Sequence, residues 1–338
     1  MPLSFRRSSA PPTPLPAGVT RSFIPTAQGP LELLSAVPAS SSNSTPLFFQ
    51  HGGFGNAAVW LEFMTFLSAA PYNIPCYAIS LRGHGASWKP GYLHMTFGTT
   101  RNMMVEDLVT GIKHVEGLLG APSDKSARVI LVAHSSGGGL AQSALNDGKI
   151  KVRGLALLDA APPSGLAGVY WNWFKADRWF PVRVYWHLMH SRSPLSTTAL
   201  VKNVFFCDQF PLAKVSDFES LMPPFESLVW PSSIMGRFAS VGNILRNITV
   251  SLDRSAVLIM AAEKSRLMGV PMMRNMAVEY TIGVGEALTQ QDKEVASDRL
   301  ADVVSFEVVK GAGHHLQNDL NWQEGADKLA KFYGGNTA

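Results

Sequence analysis

RVILVAHSSGGGLAQ, residues 128 to 142, is an apolar, β-branched run that ends in a cluster of small residues and continues with helical spacing. Read physically, it is a buried strand, a tight turn and the start of a helix. A nucleophile on such a turn sits in a strained, exposed position that admits only small neighbours two residues to either side. With Ser135 at the apex those neighbours are Ala133 and Gly137; with Ser136 they are His134 and Gly138, and an imidazole is too bulky for the crowded site. Ser135 is therefore the expected nucleophile, although Ala133 departs from the first glycine of G-x-S-x-G. The following helix aims its N-terminus and the Ser136 N–H at the place where negative charge would develop.

A second amide is needed, and the loop QHGGFGNAAVW, residues 50 to 60, follows the apolar run PLFFQ. Its glycines let the backbone approach a substrate closely, so Gly53 N–H is the expected second oxyanion donor, with Phe54 the neighbouring alternative. Phosphate-loop and dinucleotide spacings are both absent, which argues against a nucleotide cofactor. A base is also needed. FEVVKGAGHHLQND, residues 306 to 319, offers His314 in a glycine-rich turn after another apolar run, placed to take the Ser135 proton. His315, His51, His84 and His134 read as structural.

The runs PLFFQ, IPCYAIS, RVILVA, GLALLD, AVLIMAA and VSFEVV are strand-length and apolar throughout, as strands buried on both faces are. Between them lie helical patterns, such as Met104, Leu108, Ile112, Val115 and Leu119, which predict a helix over roughly residues 100 to 119. SFIPT and LELLSAV predict a hairpin ahead of the first central strand. The alternation predicts an α/β fold with a doubly wound, mostly parallel sheet. The long stretch between GLALLD and AVLIMAA exceeds what a crossover helix needs, so residues 163 to 250 read as an inserted, mainly helical cap on a core of 21 to 162 and 251 to 338. Trp171, Trp173, Phe206 and Met222 of that insertion, with Phe54, are candidates for lining an apolar pocket, the alternative being the cap's own core. Residues 1 to 20, rich in Ser, Pro and Arg, read as a disordered or loosely attached arm.

The totals exclude several classes. The 338 residues are 46% hydrophobic and 16% charged with a net charge of only +4, and no Lys/Arg run suggests nucleic acid as a partner. The two cysteines, Cys76 and Cys207, lack metal-type spacing, and no metal or organic cofactor is implied. No apolar run approaches the roughly 20 residues that span a bilayer, and no signal peptide is legible, so a cytoplasmic location is expected. Asn43 and Asn247 begin formal glycosylation sequons.

Taken in order, HGGFGNAAVW, SLRGHGAS, VAHSSGGG and GAGHHL resemble the α/β-hydrolase superfamily. The resemblance implies that Ser135 is the nucleophile, His314 the base, and Gly53 and Ser136 the oxyanion donors. The chain departs from the family in two places. Ser80 stands where an aspartate is common before R-G-H-G, and Ser265 stands where the triad acid usually follows the strand AVLIMAA. Two carboxylates are left to orient the histidine: Asp159, ending the preceding strand, and Glu263, on the Ser265 loop. Asp159 is the expected acid and Glu263 the alternative, because Asp159 matches the placement in a minority of the superfamily that the chain resembles, including fungal lactonases that open resorcylic macrolactones.

The expected activity is that of a serine hydrolase cleaving a carboxylic ester, lactone or thioester of an apolar small molecule. The alternative is a non-hydrolytic lyase or cyclase built on the same residues, because fold does not fix function. A haloalkane dehalogenase is disfavoured by a serine at the nucleophile position, and a silent binding protein by the retention of both nucleophile and base.

Overall fold

A computed structural model describes residues 3–39, 45–120, 128–250, 254–289 and 303–337. Eight strands form one sheet: β1 (Thr20–Ile24), β2 (Leu31–Ala36), β3 (Leu47–Gln50), β4 (Cys76–Ile79), β5 (Ile130–His134), β6 (Gly154–Leu158), β7 (Val257–Ala262) and β8 (Val304–Val309). Their order is β1-β2-β4-β3-β5-β6-β7-β8. The hairpin β1–β2 and the pair β2–β4 are antiparallel, and every other pairing is parallel. This is the mostly parallel, doubly wound sheet that the alternation predicts.

The six apolar runs become β3 to β8, and in β3 to β7 every residue is buried because helices cover both faces. Flanking the sheet are α1 (Leu61–Ser68), α2 (Arg101–Leu118), α3 (Ser135–Asn146), α10 (Gly269–Thr289) and α11 (Trp322–Thr337). The predicted stripe is the inward face of α2, where Met104, Leu108, Ile112 and Val115 are buried. Thr100 caps it, its hydroxyl accepting from Met103 N–H.

Register decides what meets at the sheet edge. Gln50 pairs with Ala133, His134 with Leu158, Leu158 with Met260 and Ala262 with Val309. The loops after β3, β5, β6, β7 and β8 therefore leave from one carboxyl edge, where ligands of open α/β sheets bind.

Between β6 and β7 lie α4 (Ala167–Ala176), α5 (Phe180–Trp186), α6 (Thr198–Phe205), α7 (Leu212–Leu221), α8 (Val229–Ser232) and α9 (Val241–Leu245). Their aromatics have three environments. Phe205, Phe206, Phe210, Phe218 and Trp230 are buried. Tyr170, Trp173 and Phe180 line a cavity. Trp171, Trp179, Tyr185 and Trp186 face solvent, the last two 80% exposed, as does Leu188.

Residues 3–19 form no helix or strand but lie against the body. The Phe5 ring meets Tyr92 and His190 edge-on at 4.9 and 5.0 Å, and His190 Nε2 donates to Ser4 O at 3.1 Å. The Asn43 sequon lies outside the described residues; Asn247 turns its amide inward, donating to Leu145 O at 2.8 Å. Both cysteines are buried and free. Among the described residues no helix is long and apolar enough to cross a membrane.

Candidate active site

β5 runs straight into α3, and Ser135 makes the turn at φ +54°. A left-handed serine is strained by about 1–3 kcal/mol, which the surrounding packing must hold in place. Gly137 shows how tight that packing is: a Cβ there would meet His51 O at 2.1 Å. The small residue two places after the apex is thus required by the loop from β3.

His314 Nε2 lies 2.8 Å from Ser135 Oγ, and His314 Nδ1 lies 2.6 Å from Asp159 Oδ2. Asp159, at φ +40°, follows β6 directly, and its other oxygen accepts from Ala262 N–H at 3.3 Å. The three side chains make one hydrogen-bonded line in which Asp159 and His314 are essentially buried. With Nδ1–H bound to the carboxylate, the neutral imidazole presents Nε2 as an acceptor to the serine hydroxyl.

Glu263 goes elsewhere. Its carboxylate accepts from Gly311 N–H at 2.7 Å and pairs with Lys264 at 3.3 Å, at the surface. The Gly311 hydrogen bond, then Lys264, lowers its pKa. Ser265, in the place of the missing aspartate, accepts Met268 N–H at 3.3 Å ahead of α10.

The histidine turn is held by Asp319, whose Oδ2 accepts from Gly313 N–H and Cys207 N–H at 2.7 and 2.8 Å. Gly313 is a second close approach, because a Cβ would meet the Phe206 carbonyl carbon at 2.4 Å. His134 Nε2 donates to His314 O at 3.0 Å. Burial, then the neighbouring His315 and His314, keeps the His134 pKa well below its ordinary value, and burial with His314 does the same for His315.

The expected oxyanion donors are differently placed. Ser136 N–H stands in the first turn of α3, where backbone donors have no intrahelical acceptor. Gly53 N–H, however, donates to Ser136 Oγ at 2.7 Å, and the alternative, Phe54 N–H, donates to Glu226 Oε2 at 3.1 Å. Each amide already has a partner.

A cavity of about 430 Å³ opens onto Ser135, Ser136, Gly53 and His314. Phe54 and Trp173 of the expected lining residues belong to it. Trp171, Phe206 and Met222 do not, which corrects the sequence reading. Trp171 is 60% exposed on the outer side of α4, Phe206 stacks on Phe210 at 4.1 Å, and Met222 is buried with its sulfur against Arg192. Among the described residues no group of three His, Cys, Asp or Glu could hold a metal.

The model of the alpha/beta hydrolase family matches residues 47–330. The chain belongs to this family. Similar solved structures include a thermophilic esterase from Thermogutta terrifontis, 17% identical, with a TM-score of 0.61 over 94% of this chain and 100% of that one. A carboxylesterase from Bacillus subtilis, also 17% identical, has a TM-score of 0.57 over 94% and 92% of the two chains. E-2-(acetamidomethylene)succinate hydrolase is 19% identical, with a TM-score of 0.57 over 94% and 99%. Comparison with curated proteins found no match.

This alpha/beta hydrolase family member carries two buried charge arrangements that its sequence did not reveal. His84, read as structural, has its Nε2 2.7 Å from Glu226 Oε2, and its Nδ1 donates to Arg82 O at 2.8 Å. Burial alone would lower the His84 pKa, but the charge and hydrogen bond of Glu226, with the Arg82 carbonyl, raise it. Burial likewise opposes ionisation of Glu226, but His84 and the Phe54 and Ser227 amides bring its pKa below the ordinary value. Both shifts favour the charged forms of the pair. The second arrangement accounts for Ser80: its hydroxyl donates to Glu32 Oε2 at 2.7 Å, and Ala86 N–H donates to the same oxygen at 2.8 Å. Glu32 on β2 thus places a carboxylate beside Ser80 from a neighbouring strand.

Proposed function

We propose that this chain is a serine hydrolase that cleaves an ester, lactone or thioester of an apolar small molecule through an acyl-enzyme. Residues 21–162 and 251–338 act as the catalytic core, residues 163–250 as a cap and residues 1–20 as an arm. The reading rests on the line Asp159–His314–Ser135, with 2.6 and 2.8 Å contacts, at the floor of a largely apolar cavity.

Ser135 Oγ attacks the carbonyl carbon while His314 Nε2 takes its proton. Asp159 fixes the Nδ1–H tautomer and stabilises the imidazolium that forms. Donors around Ser136, at the N-terminus of α3, receive the oxyanion. Collapse expels the alcohol or thiol, protonated by His314, and leaves the acyl group on Ser135. A water molecule, deprotonated by His314, attacks that ester, and the second collapse releases the acid and restores the serine.

The cavity falls within the range of small-molecule sites, about 300–1,000 Å³. Tyr170, Trp173, Phe180 and Trp230 favour a flat or bulky apolar group over a short chain. The acid after β6 is shared with the lactonases that the sequence resembles, and inclines the choice within this class towards lactones.

The test is turnover of short and long p-nitrophenyl esters, aryl lactones and acyl thioesters by wild type and Ser135→Ala. Hydrolysis that disappears in the variant supports the reading. Hydrolysis that survives in it would refute the reading, and fluorophosphonate labelling at Ser135 without turnover of any substrate would favour the lyase or cyclase alternative.

A further inference from the structure

The backbone amide expected to stabilise the oxyanion is already committed. Gly53 N–H donates to Ser136 Oγ at 2.7 Å. The loop has little freedom to release it, because the next residue is held in two ways. Phe54 sits at φ +59°, and its N–H donates to the buried Glu226, which is fixed by His84 at 2.7 Å and Ser227 N–H at 2.9 Å.

Ser136 is the residue that gains from this arrangement. A serine hydroxyl accepts through its lone pairs and still carries one proton to donate. Having accepted from Gly53, the Ser136 hydroxyl makes no other hydrogen bond among the described residues. Ser136, Gly53, Ser135 and His314 all line the same cavity. A hydroxyl that accepts a hydrogen bond is polarised into a stronger donor.

We infer that the second oxyanion donor is the Ser136 hydroxyl, with Gly53 N–H acting through it. Ser136 is then a catalytic residue twice over, giving its N–H and its Oγ–H to the same developing charge. Gly53 is a positioning residue that orients and polarises the hydroxyl. The inference rests on the reading of Ser135 as nucleophile, and concerns how the tetrahedral intermediate at that serine is held.

Turnover of p-nitrophenyl butyrate, the rate of fluorophosphonate labelling and the affinity for an aliphatic trifluoromethyl ketone are measured for wild type, Ser136→Ala, Ser136→Thr and Ser135→Ala. Thermal unfolding of each variant monitors folding. In Ser136→Ala, kcat and labelling rate are expected to fall by roughly 10²- to 10³-fold, KM to move by less than about threefold, and ketone affinity to fall with kcat. Ser136→Thr, which keeps a hydroxyl, is expected to recover most of the loss.

Retained or raised kcat and labelling rate in Ser136→Ala would overturn the inference, since the uncovered Gly53 amide would then be sufficient. So would lost turnover with unchanged ketone affinity, the mark of a purely structural role. Loss in Ser135→Ala with retention in Ser136→Ala would sink only this inference, whereas hydrolysis that persists in Ser135→Ala would sink the serine-hydrolase reading.

Discussion

His314 Nδ1 lies 2.6 Å from Asp159 Oδ2, a carboxylate at the end of β6, while both residues are essentially sealed from water. A buried imidazole bound in this way has its tautomer set by the end of β6 and not by the loop after β7.

Replacing that carboxylate by an amide keeps the shape and removes the charge. Asp159→Asn is expected to lower kcat by roughly 10⁴-fold, the scale of the equivalent loss in a serine protease. Glu263→Gln, at the surface and bonded to Gly311, is expected to stay within a few-fold of wild type. Steady-state kinetics on the best substrate of the panel, beside thermal melts, make the comparison. The opposite ranking would move the acid to Glu263.

The His84–Glu226 pair predicts a loss of stability in alkali. His84 has a raised pKa when folded, so its contribution is complete below its unfolded value of about 6.5 and is lost as the pH climbs through the folded one. Glu226, with a depressed pKa, contributes above the ordinary carboxylate value and loses that only as the pH falls through its own folded value. Urea unfolding of wild type and Glu226→Gln in parallel between pH 6 and pH 9 should show the advantage of wild type over the variant shrinking as the pH rises, the other buried histidines acting alike on both. Glu226→Gln should cost about 3–5 kcal/mol at the low end of that range and less at the high end. An unchanged slope in the variant would assign the titration to other groups.

Acid acts through different histidines. Burial, together with His84, lowers the His51 pKa to about 3, and His134 and His315 are also held well below their ordinary value. His51 is bonded for the neutral form, Nδ1 donating to Gly52 O at 2.8 Å and Nε2 accepting from Leu81 N–H at 3.2 Å. Below about pH 6.5 the unfolded chain binds protons at these sites that the folded chain refuses, so stability falls as the pH falls. Three such sites give at most about 4 kcal/mol per pH unit. Calorimetric unfolding at pH 5 in buffers of different ionisation enthalpy should register an uptake of two to three protons; less than one would contradict the assignment.

Trp179, Tyr185, Trp186 and Leu188 leave an unusual amount of apolar surface in water. The native protein is expected to bind a hydrophobic dye such as ANS, and Trp179→Ser/Trp186→Ser/Leu188→Ser to reduce the bound fluorescence several-fold with little change in hydrolysis. Equal dye binding by the triple variant would place the dye in the cavity instead.

The sheet was legible because β3 to β7 are buried on both faces and so read as unbroken apolar runs, and α2 because its stripe holds a single period along the whole helix. The turn at Ser135 was legible because crowding restricts it to small residues. The choice of Asp159 over Glu263 came from the resemblance alone, since β6 and β7 end at the same edge and residue pattern does not tell which carboxylate turns inward. The stretch between β6 and β7 resisted reading for another reason. Its helices are too short to hold a period, so Trp171, Phe206 and Met222 could not be told from lining residues such as Trp173. Glu226 escaped notice because its partners Phe54 and His84 lie 172 and 142 residues away. Its only local sign is a lone carboxylate within the apolar run PPFESLVW.

With Asp159 directly after β6, the proposed nucleophile and acid belong to one unbroken strand-helix-strand unit, ahead of the helices between β6 and β7. The loop after β7, relieved of the acid, lends Leu267 and Met268 to the cavity wall. The connection between Ser135 and Asp159 therefore does not run through the chain from Pro162 to Val250, which instead braces the neighbouring loops through Glu226 and Cys207. Changes in that stretch can reshape the cavity wall without touching the covalent link between the proposed nucleophile and acid.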